Sequence, residues 1–172
     1  KIIQSALLEF TGANRRMEFK GKFNNNVSVF DDYAHHPTEI NATALALKNK
    51  KFNKSWAVFQ PHTYSRTKNL LEDFAKVLLN FDNVIITDIY AAREKNIYDI
   101  SSKDLADKIS SLGGNVKYIS DFKDIASYLK ENVKDNDRLR KIFKHGVLQV
   151  NLVGLWETIW ILLGKRENEE EA

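Results

Sequence analysis

The 172-residue chain contains no cysteine, and Met17 is its only methionine. Without thiols it can form neither disulfide bonds nor thiolate-bound metal sites, and this composition is compatible with the cytoplasm. The first residue is Lys1, and no charged start leads into an apolar signal segment. We therefore expect the chain to be a piece of a longer, cytoplasmic protein.

Neither sign of charge dominates, because 26 basic residues stand against 23 acidic ones and the net charge is +3. The lysines are scattered along the chain, so we predict no nucleic-acid partner. The apolar stretch at 146–163 is interrupted by Gln149, Asn151 and Glu157. Because a glutamate at mid-span is costly in hydrocarbon, we predict no membrane partner and interpret the stretch as a buried last strand that runs into an apolar helix.

Glycine-rich phosphate loops are also missing. The sequence has no Gly-x-x-x-x-Gly-Lys-Ser/Thr loop, and no Gly-x-Gly-x-x-Gly follows any predicted strand. No Ser-His-Asp or Cys-His set stands in a recognisable context either. We therefore assign no certain catalytic residue and expect this domain to supply half of a site.

What the sequence does contain is a regular alternation of β-rich runs and helical patterns. Short connections between them predict right-handed crossovers and a mainly parallel sheet with helices on both faces, a doubly wound α/β domain. The predicted strands are an edge strand at 16–22 and the runs at 27–30, 56–59, 84–86, 116–119 and 147–153. The predicted helices begin near Pro37, cover 70–81, run from Ser101 to Gly113, and begin near Phe122.

The functional signal lies after the strands, because ligands of open α/β sheets bind beyond the carboxyl ends of the strands. Residues 31–39 (DDYAHHPTE), 60–67 (QPHTYSRT) and 88–94 (DIYAARE) follow three successive strands. Generic surface loops favour Gly, Asn and Ser, whereas these segments are rich in His, Tyr, Arg and Asp. We therefore predict that the three segments form a binding site at one rim of the sheet.

The histidines of the first segment have more than one interpretation. Pro37 suits the first turn of a helix, so His36 is either the cap of that helix, with Glu39 complementing the helix dipole, or a ligand-binding residue. His35, His36 and Glu39 could also bind a metal ion. No further His or Cys cluster supports a closed metal site, so we assign none.

Three charged residues in the same segments also have more than one interpretation. Arg66 lies near a helix start, where a cation is unfavourable unless an anion is present, which favours a ligand carboxylate or phosphate over a surface role. Asp32 is either a turn residue or the carboxylate that holds a ribose hydroxyl, as in other folds of this class. The role of Asp88 stays open.

The same segments carry a family resemblance. In order and spacing, 31–40, 59–67 and 88–94 resemble three motifs in the third domain of the Mur ligase family. Residues 10–12 (FTG) and 15–18 (RRME) are similar to the stretch that joins the family's ATP-binding domain to this third domain. The resemblance covers about residues 7–145 and implies a Rossmann-like domain that closes over a UDP-sugar-binding domain and a domain with the phosphate-binding loop.

Further expectations follow from this resemblance. It implies a linker at 1–14, the Mur ligase C-terminal domain at 15–164 and a charged tail at 165–172. It implies an ATP-dependent ligase of peptidoglycan synthesis that joins L-alanine to UDP-N-acetylmuramate through an acyl phosphate. ATP and Mg²⁺ are then required, with the Mg²⁺ ligands mostly in the preceding domains of the same chain, and this fragment alone is expected to be inactive.

The resemblance also implies roles for individual residues. Arg16 and Asp32 match residues that contact ATP, the first near its phosphates and the second near its ribose. The positions that match the pocket for the muramoyl substrate and the amino acid are Tyr33, His35, His62 and Arg66, and His36 adjoins them.

The sequence is also compatible with three other functions. They are a murein peptide-recycling ligase of the same family, a non-catalytic module that binds a nucleotide or an amino acid, and an interaction domain that uses the apolar tail. The family usually ends in a strand and a glycine-rich turn, whereas here Gly154 is followed by Leu155, Trp156 and Glu157. From about Lys144 we therefore expect a segment that is either read in a shifted frame or loosely docked.

Overall fold

The computed structural model describes residues 16–23, 27–48, 53–134 and 138–143. Within them one six-stranded sheet has the order β1-β2-β6-β3-β4-β5. β1 is antiparallel to β2, and the remaining neighbours are parallel. The strands are β1 Glu18–Phe23, β2 Val27–Asp32, β3 Ser55–Gln60, β4 Asn83–Ile86, β5 Val116–Tyr118 and β6 Arg138–Phe143.

Helices cover both faces of this sheet, as the doubly wound prediction requires. They are α1 Pro37–Lys48, α2 Tyr64–Asn69, α3 Leu71–Leu78, α4 Ser102–Ser111 and α5 Phe122–Asn132. Buried residues of α1, α3 and α4 pack with Ala57 and Phe59 of β3. Buried residues of α5 pack with Trp56 and Val58, the alternate residues of the same strand. Both core clusters are closed by the chain's own helices, so we expect this unit to fold by itself.

The central strand β6 is the main correction to the sequence analysis. No strand was predicted at 138–143, where three basic residues make the run unlike a buried strand (RLRKIF). The structure nevertheless pairs this segment with β2 on one side and β3 on the other. The edge strand predicted at 16–22 is confirmed as β1, whereas the strand predicted at 147–153 lies outside the described residues.

The helix predicted at 70–81 is confirmed as α3, Leu71–Leu78. The sequence analysis did not predict the short helix α2 before it, and the two helices meet at Leu70 with φ −115° and ψ 20°. The two helices are held by different contacts. Thr67 is the buried residue of α2, whereas α3 buries Phe74, Ala75 and Leu78 against the sheet.

Both predicted ends of α4 are confirmed. At its start the Asp104 carboxylate accepts hydrogen bonds from the backbone N–H of Ser101 at 2.8 Å and from the Ser101 hydroxyl at 2.6 Å. At its end Gly113 has φ 84°, and Gly114 N–H donates to Ile109 O at 3.0 Å. This backbone pattern ends a helix with a left-handed residue, for which glycine is the favoured choice.

Replacing Gly114 with alanine is expected to lower the free energy of unfolding by about 1–3 kcal/mol through overpacking. An added Cβ would lie 2.5 Å from Cγ2 of Ile109 and 2.7 Å from Cδ2 of Leu79. Denaturant unfolding of the purified chain measures the effect. The control is Gly113→Asn, because space is open there and asparagine tolerates a positive φ. If Gly113→Asn lowers the free energy of unfolding as much as Gly114→Ala does, the packing explanation is wrong.

The described residues contain no helix long and apolar enough to cross a membrane. The apolar stretch at 146–163, the segment at 1–14 and the tail at 165–172 all lie outside these residues. The predictions made for them stay predictions.

Candidate functional site

The carboxyl ends of four parallel strands lie level at one rim of the sheet. Position 142 of β6 pairs with Asp32 of β2 and with Phe59 of β3, and Phe59 pairs with Ile86 of β4. The segments that follow β2, β3 and β4 therefore meet at one rim, as predicted. Because β6 lies between β2 and β3, the first two segments begin about 10 Å apart, two strand spacings.

A cleft of about 280 Å³ opens where β2 ends and α1 passes behind it. Asp32, the last residue of β2, is 6% exposed and lines this cleft. Its Oδ1 accepts the backbone N–H of Ala34 at 3.1 Å, and its Oδ2 accepts the hydroxyl of Thr43 at 2.7 Å. The other lining residues are Arg16, Met17, Tyr33, Ala34, Glu39, Ala42, Thr43 and Ala46.

The residues that line the cleft include the fixed carboxylate of Asp32, the exposed cation of Arg16 and the small apolar side chains of three alanines. Arg16 is exposed and lies just before β1, so the two residues predicted to contact a nucleotide share one cleft. The volume lies just below that of complete ligand pockets, which begin at about 300 Å³. This agrees with the prediction that the domain supplies half of a site.

His36 caps α1. Its carbonyl accepts the backbone N–H of Ile40 at 3.0 Å, and Pro37 is the first helical residue. Glu39 Oε2 accepts the backbone N–H groups of His35 at 2.9 Å and of His36 at 3.1 Å. His36 Nδ1 also accepts the backbone N–H of Thr38 at 3.3 Å, so its side chain takes part in the cap. A ligand-binding role for His36 stays a prediction.

The cap also sets the electrostatics at the start of α1. Partial burial acts to raise the pKa of Glu39, but the backbone N–H groups and the charges of His35 and His36 together outweigh it, and the net pKa is lowered. His35 Nδ1 lies 3.2 Å from Glu39 Oε2 and 3.1 Å from the carbonyl oxygen of Tyr33. The His35 ring packs edge-on against Tyr33, with centroids 5.6 Å apart. These contacts orient both rings beside the cleft.

The segment after β3 brings His62 and Arg66 together. His62 is 9% exposed, and its Nδ1 lies 3.3 Å from Nη1 of Arg66, one turn further along. The His62 ring also packs against Tyr90 of the segment after β4, with centroids 5.7 Å apart. These two predicted pocket residues thus form one cluster, beside the end of β3 rather than in the cleft.

One argument made for Arg66 changes. The anion expected at the start of its helix is supplied by the chain itself, because Glu94 accepts the backbone N–H and the hydroxyl of Ser65 in the first turn of α2. The Ser65 hydroxyl and then its backbone N–H lower the pKa of Glu94. A ligand anion is therefore not needed to explain the position of Arg66.

Asp88 also acquires a structural partner. Its side chain accepts a hydrogen bond from the Tyr118 hydroxyl of β5. That bond is the main cause that raises the pKa of Tyr118, with burial next. The backbone carbonyl of Asp88 accepts from Nε2 of Gln60 at 3.2 Å. Asp88 thus connects the ends of β3, β4 and β5.

The sequence matches a known domain family. A family model described as "Mur ligase, glutamate ligase domain" matches residues 15–139. The chain belongs to the Mur ligase family. Its predicted domain boundaries at 14/15 and 164/165 stay predictions.

The curated Mur ligases that this chain matches are longer than the chain. UDP-N-acetylmuramate–L-alanine ligase from Caldanaerobacter subterraneus subsp. tengcongensis is 52% identical over 142 residues, which cover 83% of this chain and 31% of the relative. The chain therefore spans about a third of the length of that curated relative.

Solved structures show the same fold. UDP-N-acetylmuramate–alanine ligase from Thermotoga maritima superposes with a TM-score of 0.69 at 24% identity, over 91% of this chain and 31% of that one. A murein peptide ligase from Psychrobacter arcticus superposes with a TM-score of 0.70 at 24% identity, over 94% of this chain and 32% of that one. Both likenesses establish the Rossmann-like α/β fold predicted for this Mur ligase domain.

Two contributors to the site were missed by the sequence analysis. Thr43 lies three residues after Ile40 on the buried face of α1. A polar residue on that face indicates a buried hydrogen-bond partner, and this partner is Asp32. Glu94 had no comparable signal, because its partner Ser65 lies 29 positions away.

Proposed function

We propose that the complete protein joins L-alanine to UDP-N-acetylmuramate at the expense of ATP in peptidoglycan synthesis, and that this chain is its C-terminal domain. The observation that carries the proposal is the 52% identity with a UDP-N-acetylmuramate–L-alanine ligase over 83% of this chain. The reaction uses ATP and a UDP-sugar, which supports a cytoplasmic location. The preceding domains of the same protein are the proposed partners of this one.

The cleft is the proposed contact surface for ATP. The Asp32 carboxylate is fixed by Ala34 and Thr43, and a fixed acceptor suits a ribose hydroxyl. Arg16 lines the same cleft and can approach phosphate oxygens. ATP supplies the phosphoryl group that activates the lactyl carboxylate as an acyl phosphate. In this proposal Asp32 and Arg16 orient the nucleotide while the phosphate-binding loop lies in another domain.

His62 and Arg66 form the proposed contact with the other two substrates. The lactyl carboxylate and the carboxylate of L-alanine are both anions, and a guanidinium can bind a carboxylate through two parallel hydrogen bonds. Tyr33 and His35, beside the cleft, complete the proposed pocket, and His36 acts on it through the start of α1. Catalysis then consists mainly of positioning and of stabilising charge.

Mg²⁺ is proposed for the complete protein only. Among the residues that the structure describes, no group of three or more His, Asp or Glu side chains is placed to hold a metal ion. The ligands of Mg²⁺ are therefore assigned to the preceding domains, and no role of a described residue depends on it.

The proposal is tested by incubating the purified complete protein with ATP, UDP-N-acetylmuramate and L-alanine. The expected products are UDP-N-acetylmuramoyl-L-alanine, ADP and phosphate. In a parallel reaction, a murein tripeptide replaces L-alanine. This reaction separates the recycling ligase from the alanine-adding one. Product from the tripeptide alone would contradict the proposal, and nucleotide binding without any product would favour a binding module.

The 172-residue chain alone is expected to show no turnover of ATP, because its sequence contains no phosphate-binding loop. Release of phosphate from ATP, with and without both acceptor substrates, measures this. The complete protein in the same buffer is the positive control. Sustained hydrolysis by the chain alone, lost in an Asp32→Ala variant and therefore not due to a contaminant, would contradict the prediction.

A further inference from the structure

Glu94 connects two of the three segments at the rim. It lies in the segment after β4, and its carboxylate reaches the first turn of α2, which follows β3. Oε2 accepts the backbone N–H of Ser65 at 2.9 Å, and Oε1 accepts the Ser65 hydroxyl at 2.5 Å. Hydrogen bonds to a charged acceptor are stronger than neutral ones, so this contact fixes the start of α2 relative to β4.

Backbone contacts beside Glu94 join the same two segments. Thr63 N–H donates to Tyr90 O at 2.9 Å, and Tyr90 N–H donates to Pro61 O at 2.8 Å. A parallel bridge pairs His62 with Tyr90, whose rings also pack together. The pairing of β3 with β4 therefore continues past the ends of the strands, and His62 lies inside this continuation.

The backbone between His62 and α2 is strained. Thr63 has φ 65° and ψ 145°, a region that side-chain-bearing residues rarely adopt and that is least suited to a β-branched one. Its carbonyl is held by Thr67, whose N–H donates at 3.1 Å and whose hydroxyl donates at 2.7 Å. A strained conformation persists only where its surroundings hold it, and Glu94 holds the helix start that follows Thr63.

We infer that Glu94 is a positioning residue for His62 and Arg66. The sharp turn at Thr63 brings His62 Nδ1 to 3.3 Å from Arg66 Nη1. Glu94 fixes that turn from outside by holding Ser65, the residue before Arg66. Glu94 need not contact a substrate to act in this way. The identity of the substrates bound by the pair rests on the proposed function, whereas the positioning itself does not.

Steady-state kinetics of the complete enzyme test the inference. Glu94→Ala is expected to lower kcat/KM by about tenfold or more, the scale of lost hydrogen bonds to a charged group. Glu94→Gln is expected to stay within about threefold of the wild type, because its amide can accept the Ser65 N–H and donate to the Ser65 hydroxyl. Ser65→Ala introduced into Glu94→Ala should add little, since coupled residues are not additive.

The matched control is Glu72→Ala in the first turn of α3. Glu72 also forms a charged contact, with Lys108 at 2.5 Å, but its side chain is 58% exposed and it lies outside the three rim segments. The Glu72→Ala substitution is expected to leave kcat/KM unchanged. If Glu94→Ala lowers the melting temperature but not kcat/KM, Glu94 only stabilises the fold and the inference is wrong. Loss of kcat/KM in Glu94→Ala with recovery in Glu94→Gln supports it.

A second measurement separates this inference from the proposed function. The chain has four histidines, so the imidazole NMR signals of the 172-residue chain can be assigned by substitution. Glu94→Ala should shift the His62 signals more than those of His35, and Glu94→Gln should restore them. Unchanged His62 signals in folded Glu94→Ala would overturn the inference and leave the ligase proposal standing. A wild-type enzyme without ligase activity would overturn the proposal, and the NMR result would still decide the role of Glu94.

Discussion

Replacing Phe74 with alanine is expected to lower the free energy of unfolding by about 3–5 kcal/mol. Phe74 of α3 is 1% exposed, and its ring packs against Phe59 of β3 with centroids 5.4 Å apart. The substitution removes apolar burial and leaves a cavity between helix and sheet. Since a domain is stable by only about 5–15 kcal/mol, this one change removes a large fraction of the total.

Denaturant unfolding of the purified chain measures this loss, and two variants control it. Phe74→Leu keeps most of the buried volume and should cost clearly less than alanine. Lys76→Ala lies on the exposed side of the same helix and is expected to change stability by less than about 0.5 kcal/mol. A loss below about 1 kcal/mol for Phe74→Ala would contradict the packing of α3 on β3.

Replacing Arg66 with lysine in the complete enzyme is expected to weaken transition-state binding by about 1.5–3 kcal/mol, which lowers kcat/KM by roughly 10- to 150-fold. An ammonium group cannot form the two parallel hydrogen bonds by which a guanidinium holds a carboxylate. Lysine also lacks the Nη1 atom of Arg66, which lies 3.3 Å from His62 Nδ1. The melting temperature should change little, because Arg66 is only half-buried.

The control for Arg66→Lys is the same substitution at Arg93. Arg93 is exposed in the segment after β4, and its replacement should change kcat/KM by less than about threefold. Separate KM values for UDP-N-acetylmuramate, L-alanine and ATP identify which substrate Arg66 serves. An unchanged kcat/KM together with a sharp fall in melting temperature would mean that Arg66 is structural.

The meeting of the three segments at one rim was predictable, but the interactions between their residues were not. Segments that follow successive parallel strands must end at one edge, so 31–39, 60–67 and 88–94 could be placed together from their order alone. The structure then divides them into a cleft around Asp32 and a cluster around His62. This division follows from β6, which separates β2 from β3.

Neighbouring residues add structural partners to two of the predicted site residues. His36 Nδ1 accepts the backbone N–H of Thr38 at the start of α1, and its predicted ligand-binding role stays open. Arg66 was expected to need a ligand anion, but Glu94 supplies a carboxylate at the same helix start. The contact between Ser65 and Glu94 joins residues 29 positions apart and depends on the folded chain, whereas the cap contacts of His36 are local to the start of α1.

The sequence by itself determined the fold class, the helix ends of α4 and the family, because each rests on patterns that can be read along the chain. Hydrophobic periodicity and the capping Ser101–Asp104 pair act over a few residues, and the family follows from the order and spacing of the motifs. Tertiary structure decided the strand order and the contacts that build the site. The Asp32–Thr43 and Ser65–Glu94 hydrogen bonds join residues 11 and 29 positions apart. Such contacts depend on which strands pair and how helices pack, and no local preference of the backbone specifies them.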